Sequence, residues 1–280
     1  MTHSNAPTSA LPPIAFIGGG NMASAILGGL IRQGVQAGNF EVVEPFEATR
    51  VKLKAELGID ARPAAGGALS RCAVVVWAVK PQTFADAAVP VKAVASGALH
   101  VSVAAGIPSD SIARWSGSER VVRTMPNTPA LVGQGMTGLF ARPAVTAADR
   151  ALAEQVLAPT GQLLWLDAED QLDAVTAVSG SGPAYIFYFL EAMAEAGVDM
   201  GLSAEQAHRL AVGTFTGASA LAAASTESPA VLRERVTSKG GTTHAALTAM
   251  EAAGIKASFK KAIRAAQARA GELAAEFGRR

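Results

Sequence analysis

The segment Ile14–Ala23, reading IAFIGGGNMA, limits this chain more than any other stretch. A short apolar run reads as a strand. It enters three consecutive glycines, and a helical pattern starts at once. Gly18, Gly20 and Ala23 stand at the G-x-G-x-x-G/A spacing. In that pattern the first position makes a tight turn, the second leaves no side chain to hold off a pyrophosphate, and the third lets helix pack closely on strand. The N–H groups of the opening helix, at Asn21 and Met22, then face an anion at the positive end of the helix dipole. The predicted ligand is a dinucleotide.

The context supports this. Through residue 168 short apolar runs alternate with helical patterns: IAFI, FEVVE, AVVVWAV, LHVSVAAG, RVVRTMP, GMTGLFA and QLLWLD as strands, with helices over 22–32, 47–57, 84–94, from 109, and over 147–157. Continuous rather than alternating apolar strands imply a sheet covered on both faces. Strand–helix repetition implies a parallel, doubly wound α/β sheet of the Rossmann type over 14–168. Beyond Asp167 the chain becomes alanine-rich and helical, so 169–280 is expected to form a second, all-helical domain. Pro183 reads as a first helical residue, Ser203 with Gln206 as a capping box, and Ser228-Pro229 as a further helix start. Apolar faces such as YIFYFLEAMAEA are wide for so small a domain, and predict a partner subunit over them.

Composition removes other classes. The formal net charge of the 280 residues is +1 and no long basic run occurs, so nucleic acid is not the expected partner. No apolar stretch is long enough to span a membrane. A single cysteine, Cys72, allows no internal disulfide, reads as a small buried hydrophobe and fits a reducing, cytoplasmic setting. His3, His100 and His208 show no metal-ligand spacing, and no metal is expected. Residues 1–13, MTHSNAPTSALPP, lack the form of a signal peptide and are expected to be a loose, disordered tail.

In open α/β sheets ligands sit beyond the carboxyl ends of the strands. That puts Glu44, Ala78-Val79-Lys80-Pro81 and Ala104-Ala105-Gly106 beside the cofactor. An acid at the end of the second strand commonly holds the adenosine ribose of NAD and repels a 2′-phosphate, so Glu44 tilts the choice to NADH. Arg50 nearby leaves NADPH open. Lys80 reads chiefly as a lysine on a proline-bounded turn, with a role as an acid the lesser reading.

Three segments remain: Met125-Pro126-Asn127-Thr128-Pro129, Val178-Ser179-Gly180-Ser181-Gly182-Pro183, and Thr237-Ser238-Lys239-Gly240-Gly241-Thr242-Thr243-His244 before the helix AALTAMEAAG. With FIGGGNMA and AVKPQ they make five motifs that resemble, in order, those of pyrroline-5-carboxylate reductase. The resemblance covers the chain from Ile14 and is most specific from Pro229 to Glu251. It implies reduction of the cyclic imine 1-pyrroline-5-carboxylate to L-proline by hydride from NADPH or NADH, the last step of proline biosynthesis. It implies substrate contacts by Ser238, Gly241, Thr242 and Thr243, with the Thr243 hydroxyl near the ring nitrogen as the candidate catalytic group. Whether Thr243 donates the proton or only positions the ring stays open, as does a plain helix-capping role. Gly240 shares the flexible glycine pair, whose N–H groups and neighbouring hydroxyls suit a carboxylate. Ser179–Gly182 reads either as an interdomain connection or as a wall of the substrate pocket, with Ser181 in contact. The resemblance further implies a homodimer with interlocked helices, joined into a larger ring, and a pocket completed by a neighbouring subunit. Lys239 stands where many members have proline, and Ala65 falls near where some place an asparagine.

Two other readings compete. A β-hydroxyacid dehydrogenase would place a catalytic lysine in the helix after the Gly/Ser loop, but PAYIFYFLE has none. A non-enzymatic dinucleotide sensor would need no segment like SKGGTTH.

Overall fold

The computed structural model describes residues 11–278. Of the expected 1–13 tail, residues 1–10 lie outside the described residues. Leu11–Pro13 do not form a loose tail. Asn39 Nδ2 donates to the Leu11 and Pro12 carbonyls at 3.2 and 3.0 Å, and Ala73 N–H donates to Pro13 O at 3.0 Å.

By packing, the chain divides into two compact units. One holds the described residues through Ser181 together with 266–278, and the other is 182–265. The expected boundary at 168/169 differs from this, because the helix Gln171–Val175 packs on the sheet and the last helix returns to the first unit.

The first unit is a seven-stranded sheet. Its elements run β1 (Ile14–Ile17), α1 (Asn21–Arg32), β2 (Phe40–Val43), α2 (Glu47–Leu57), β3 (Val74–Trp77), α3 (Phe84–Ala95), β4 (Leu99–Ser102), α4 (Ser109–Ser116), β5 (Val121–Met125), β6 (Gly135–Ala141), α5 (Ala147–Leu157), β7 (Gly161–Trp165) and α6 (Gln171–Val175). The strand order is β2-β1-β3-β4-β5-β6-β7. Strands β1 to β5 are mutually parallel, as the helical crossovers demand. The wholly parallel expectation fails at one place: β6 runs antiparallel to β5, with β7 parallel to β6. The segment 126–134 contains only one 3-10 turn, Thr128–Val132, and no crossover helix, so the chain reverses there.

Period-two alternation splits the core across the sheet. Ile14, Phe16, Val74, Val76, Leu99 and Val101 pack on one face with Ile26, Leu27 and Leu30 of α1. Ala15, Ile17, Val75 and Trp77 pack on the other with Phe84, Ala88 and Val91 of α3. Each fully buried Val, Leu, Ile or Phe among them contributes about 1.5–3 kcal/mol, so both faces fix the register of the strand ends.

The second unit contains α7 (Gly182–Asp199), α8 (Ala204–Ala224), α9 (Pro229–Arg235), α10 (Thr242–Ala252) and the first part of α11 (Ile255–Gly278). Both bonds of the Ser203/Gln206 capping box form, and Ser228 Oγ accepts from Val231 N–H. Tyr185 and Phe189 of α7 pack edge-on to Phe259 of α11. Much of the apolar surface stays outside: Phe187 is 63% and Tyr188 69% exposed.

Candidate active site

Two constellations form, one in each unit. In the first, β1 delivers its last residue into the glycine turn at the switch point between β1 and β3. Gly18 has φ +96°, and a Cβ there would come within 2.5 Å of the Ala78 carbonyl oxygen. Its N–H donates to Val43 O at 2.8 Å, so the turn is closed against the ends of both neighbouring strands. Around Gly20, by contrast, an added Cβ would meet nothing within 4 Å. Gly20 caps α1 without a side-chain bond, and the first turn of α1 carries no acid. The N–H groups of Asn21 and Met22 are left for an anion. Asn21 is exposed, Met22 half-buried and Ala23 fully buried against the sheet. An open glycine, uncapped N–H groups and a tight turn behind them fit a dinucleotide pyrophosphate.

A cleft of about 410 Å³ continues from the turn, walled by Val43, Phe46, Pro63, Ala65, Val79 and Asp86 among others. Apolar walls of this size accept a flat base. Ala78 and Val79 are half-buried at the end of β3. Lys80 is exposed, and its carbonyl accepts from Thr83 N–H and Oγ1 at 3.0 and 3.1 Å. Pro81 starts the 3-10 turn that follows. Ala105 lies exposed at the end of β4, ahead of Gly106 at φ +74°.

Beside the ribose contact expected of it, Glu44 makes two contacts to the backbone of the turn. Its side chain is 5% exposed. Oε2 accepts from Gly19 N–H at 2.8 Å and Oε1 from Phe46 N–H at 2.9 Å. A tight turn leaves N–H groups without a ladder partner, and the nearest strand-end carboxylate satisfies them. Arg50 is likewise turned on the chain, donating to the Glu44 and Pro45 carbonyls at 3.0 and 2.7 Å. Gly19, for which the spacing pattern has no task, meets Leu53 so closely that a Cβ would lie 2.6 Å from Cδ1.

The segment Val178–Ser181 also belongs to the first unit. Thr176–Gly180 forms a single π-type turn between α6 and α7, and Ser181 follows it, half-buried.

The second constellation is the start of α10. Gly240 turns the chain at φ +78°, and Gly241 N–H donates back to Ser238 O at 3.0 Å. A Cβ on Gly241 would lie 2.7 Å from Ser238 Oγ, so only glycine lets that hydroxyl sit over the turn. Gly241 is the N-cap, again with no side-chain bond, and Thr242 and Thr243 open the helix. Thr243 is therefore not the cap. It lies one residue inside the helix, exposed, and its hydroxyl has no hydrogen-bond partner among the described residues. Ser238, Gly240, Gly241, Thr242 and Thr243 thus share one turn with free N–H groups and free hydroxyls. His244 lies in the wall of a separate cleft with Arg233 and Glu251. Among the described residues no group of three potential ligands could hold a metal ion, and no helix is long and apolar enough to cross a membrane.

A family model described as pyrroline-5-carboxylate reductase dimerisation matches residues 169–273. Another, described as NADP oxidoreductase coenzyme F420-dependent, matches 13–106. The pyrroline-5-carboxylate reductase of Pseudomonas aeruginosa is 47% identical over 271 residues, covering 95% of this chain and 98% of its own. That of Pisum sativum is 37% identical, covering 93% and 95%. Among solved structures, a pyrroline-5-carboxylate reductase from Coxiella burnetii superimposes with a TM-score of 0.87 at 38% identity, covering 94% of this chain and 98% of its own. A pyrroline carboxylate reductase from Plasmodium falciparum with NADP bound gives 0.84 at 26% identity, with the same coverage.

Proposed function

Because this chain belongs to the pyrroline-5-carboxylate reductase family and reduces 1-pyrroline-5-carboxylate to L-proline with NAD(P)H, we propose how its residues divide that work. Gly18, Gly20, Asn21, Met22 and Ala23 form the pyrophosphate site. Ala78, Val79, Lys80, Pro81 and Ala105 line the cofactor through the ends of β3 and β4, and Glu44 supports the site by fixing the turn. When bound, the reduced nicotinamide supplies a hydride to the imine carbon.

The start of α10 binds the other reactant. The N–H groups of Thr242 and Thr243, with the helix dipole behind them, hold the ring carboxylate, while the bond from Gly241 N–H to Ser238 O keeps the turn in shape. Gly240 admits that carboxylate to the backbone, and the Ser238 and Ser181 hydroxyls flank the ring. Thr243 Oγ1 lies beside the ring nitrogen and passes it a proton or fixes its N–H. The observation that carries this reading is the absence of any capping side chain at Gly241 together with the free Thr243 hydroxyl. An iminium is electrophilic already, so orientation is the main demand on the protein.

The second unit matches a dimerisation domain, and we place the chain in a homodimer whose neighbouring subunit completes the site, with dimers joined into a larger ring in the cytoplasm. The test is loss of nicotinamide absorbance with 1-pyrroline-5-carboxylate, NADH and NADPH run separately. Thr243→Ala is expected to lower kcat by roughly tenfold or more, the scale of a lost proton relay or orienting bond, with cofactor affinity unchanged. Unaltered turnover removes Thr243 from the mechanism.

A further inference from the structure

The segment Met125-Pro126-Asn127 has no part in the assignments above, yet its side chains hold the two residues that precede Ser181. Asn127 Oδ1 accepts from Met136 N–H at 2.9 Å, while Nδ2 donates to Ser179 O and Ser179 Oγ, both at 3.2 Å. A backbone donor on one side and a backbone acceptor on the other leave only one orientation for the amide. Two residues back, Met125 lies against the next residue of the same turn: a Cβ on Gly180 would overlap Met125 Cε. Gly180 is needed there for close approach, and its φ is not in the left-handed region.

These contacts grip the π-type turn Thr176–Gly180 at two consecutive residues. A π turn breaks the regular helical ladder and is frequent at functional sites. Here Ser181 N–H reaches back to Thr176 O at 2.8 Å, so Ser181 moves with the turn. The grip comes from the end of β5, a strand inside the sheet, and from the first residues of β6. A rigid element thus holds an irregular one.

We propose that Asn127, with Met125, is a positioning residue for substrate: it sets where Ser181 stands in the imine site without touching the imine or the cofactor. The inference rests on the reading above that Ser181 contacts substrate. A displacement of about 1 Å at such a group is enough to lower activity strongly.

Steady-state kinetics of four variants test it, with KM for 1-pyrroline-5-carboxylate and for NADPH measured separately and melting temperature alongside. Asn127→Asp keeps an acceptor for Met136 N–H and removes both donors to Ser179. It is expected to raise the imine KM roughly tenfold, the effect of one to two lost hydrogen bonds, and to leave the NADPH KM within about twofold. Gly180→Ala should do the same, and Met125→Ala in that background should restore most of the loss by making room. Ser181→Ala tests the underlying reading directly. If Ser181→Ala raises the imine KM but Asn127→Asp and Gly180→Ala do not, the positioning role is overturned. If both KM values and the melting temperature worsen together, Asn127 is only structural and the proposal also fails. If Ser181→Ala is silent while the other two still act on the imine alone, the Ser181 contact is lost and the grip on the turn stands. If all are silent, both fall.

Discussion

At the scale of single residues, a side chain's partners decide its role more than its type does. Glu44 sits where an acid commonly reads ribose, but both its oxygens hold backbone N–H groups. Glu44→Ser should therefore weaken NADH and NADPH together, each severalfold, as expected for two lost charge-assisted bonds at a turn. Binding titrations decide this, and a changed NADPH-to-NADH ratio at constant NADH affinity would return Glu44 to the ribose. His100 offers a pH test. It is wholly buried, Trp77 Nε1 donates to its Nδ1 at 3.0 Å, and its Nε2 faces Ala95 O at 3.1 Å. The proton thus sits on Nε2, and burial pushes the pKa from 6.5 down to about 4. Between those values the unfolded chain binds the proton and the folded one does not. Stability should fall as pH drops through that window, by on the order of 3 kcal/mol, and be independent of this group above it. Urea unfolding across pH 7.5 to 4.5 measures the slope, and His100→Gln should flatten it.

Elements show the same division between pattern and partner. The strands of the first unit and its helices through α5 begin or end within a few residues of their sequence signals, because continuous apolar runs, Gly or Pro stops and helix starts agree there. What the pattern omits is close approach. Gly161 opens β7 at φ +132°, and a Cβ would overlap the Gly135 backbone of β6. Gly161→Ala should thus cost about 3 kcal/mol or more, read as a lower urea midpoint. A loss under about 1 kcal/mol, the size of an ordinary surface change, would show that the pair can spread apart. Neither glycine stands in a recognisable motif, so only the register Gly135↔Gly161 reveals the constraint. The same holds for Asn127 and Met125. MPNTP was visibly unusual, yet its partners lie some fifty residues on in the chain.

For the whole molecule, the second unit is the critical part. Few of its residues are buried, and α7 leaves Phe187 and Tyr188 outside. So much uncovered apolar surface is not stable in water by itself, and a second copy is its natural cover. Phe187→Asp should yield a smaller species by light scattering and little activity, and the melting temperature of the parent should rise with protein concentration. A monomer of full activity would remove the neighbouring subunit from the site.

The sequence by itself determined the doubly wound α/β class, the helical second part, the glycine turn and the family, because these rest on local pattern: apolar period, glycine spacing, helix starts and motif order. Tertiary structure alone decided the reversal at β6, the return of α11 to the first unit, the inward task of Glu44, and the seating of Asn127 on Ser179. Each depends on which distant groups meet. A buried N–H or a missing Cβ specifies its partner in space, and nothing adjacent to it in the chain encodes that choice.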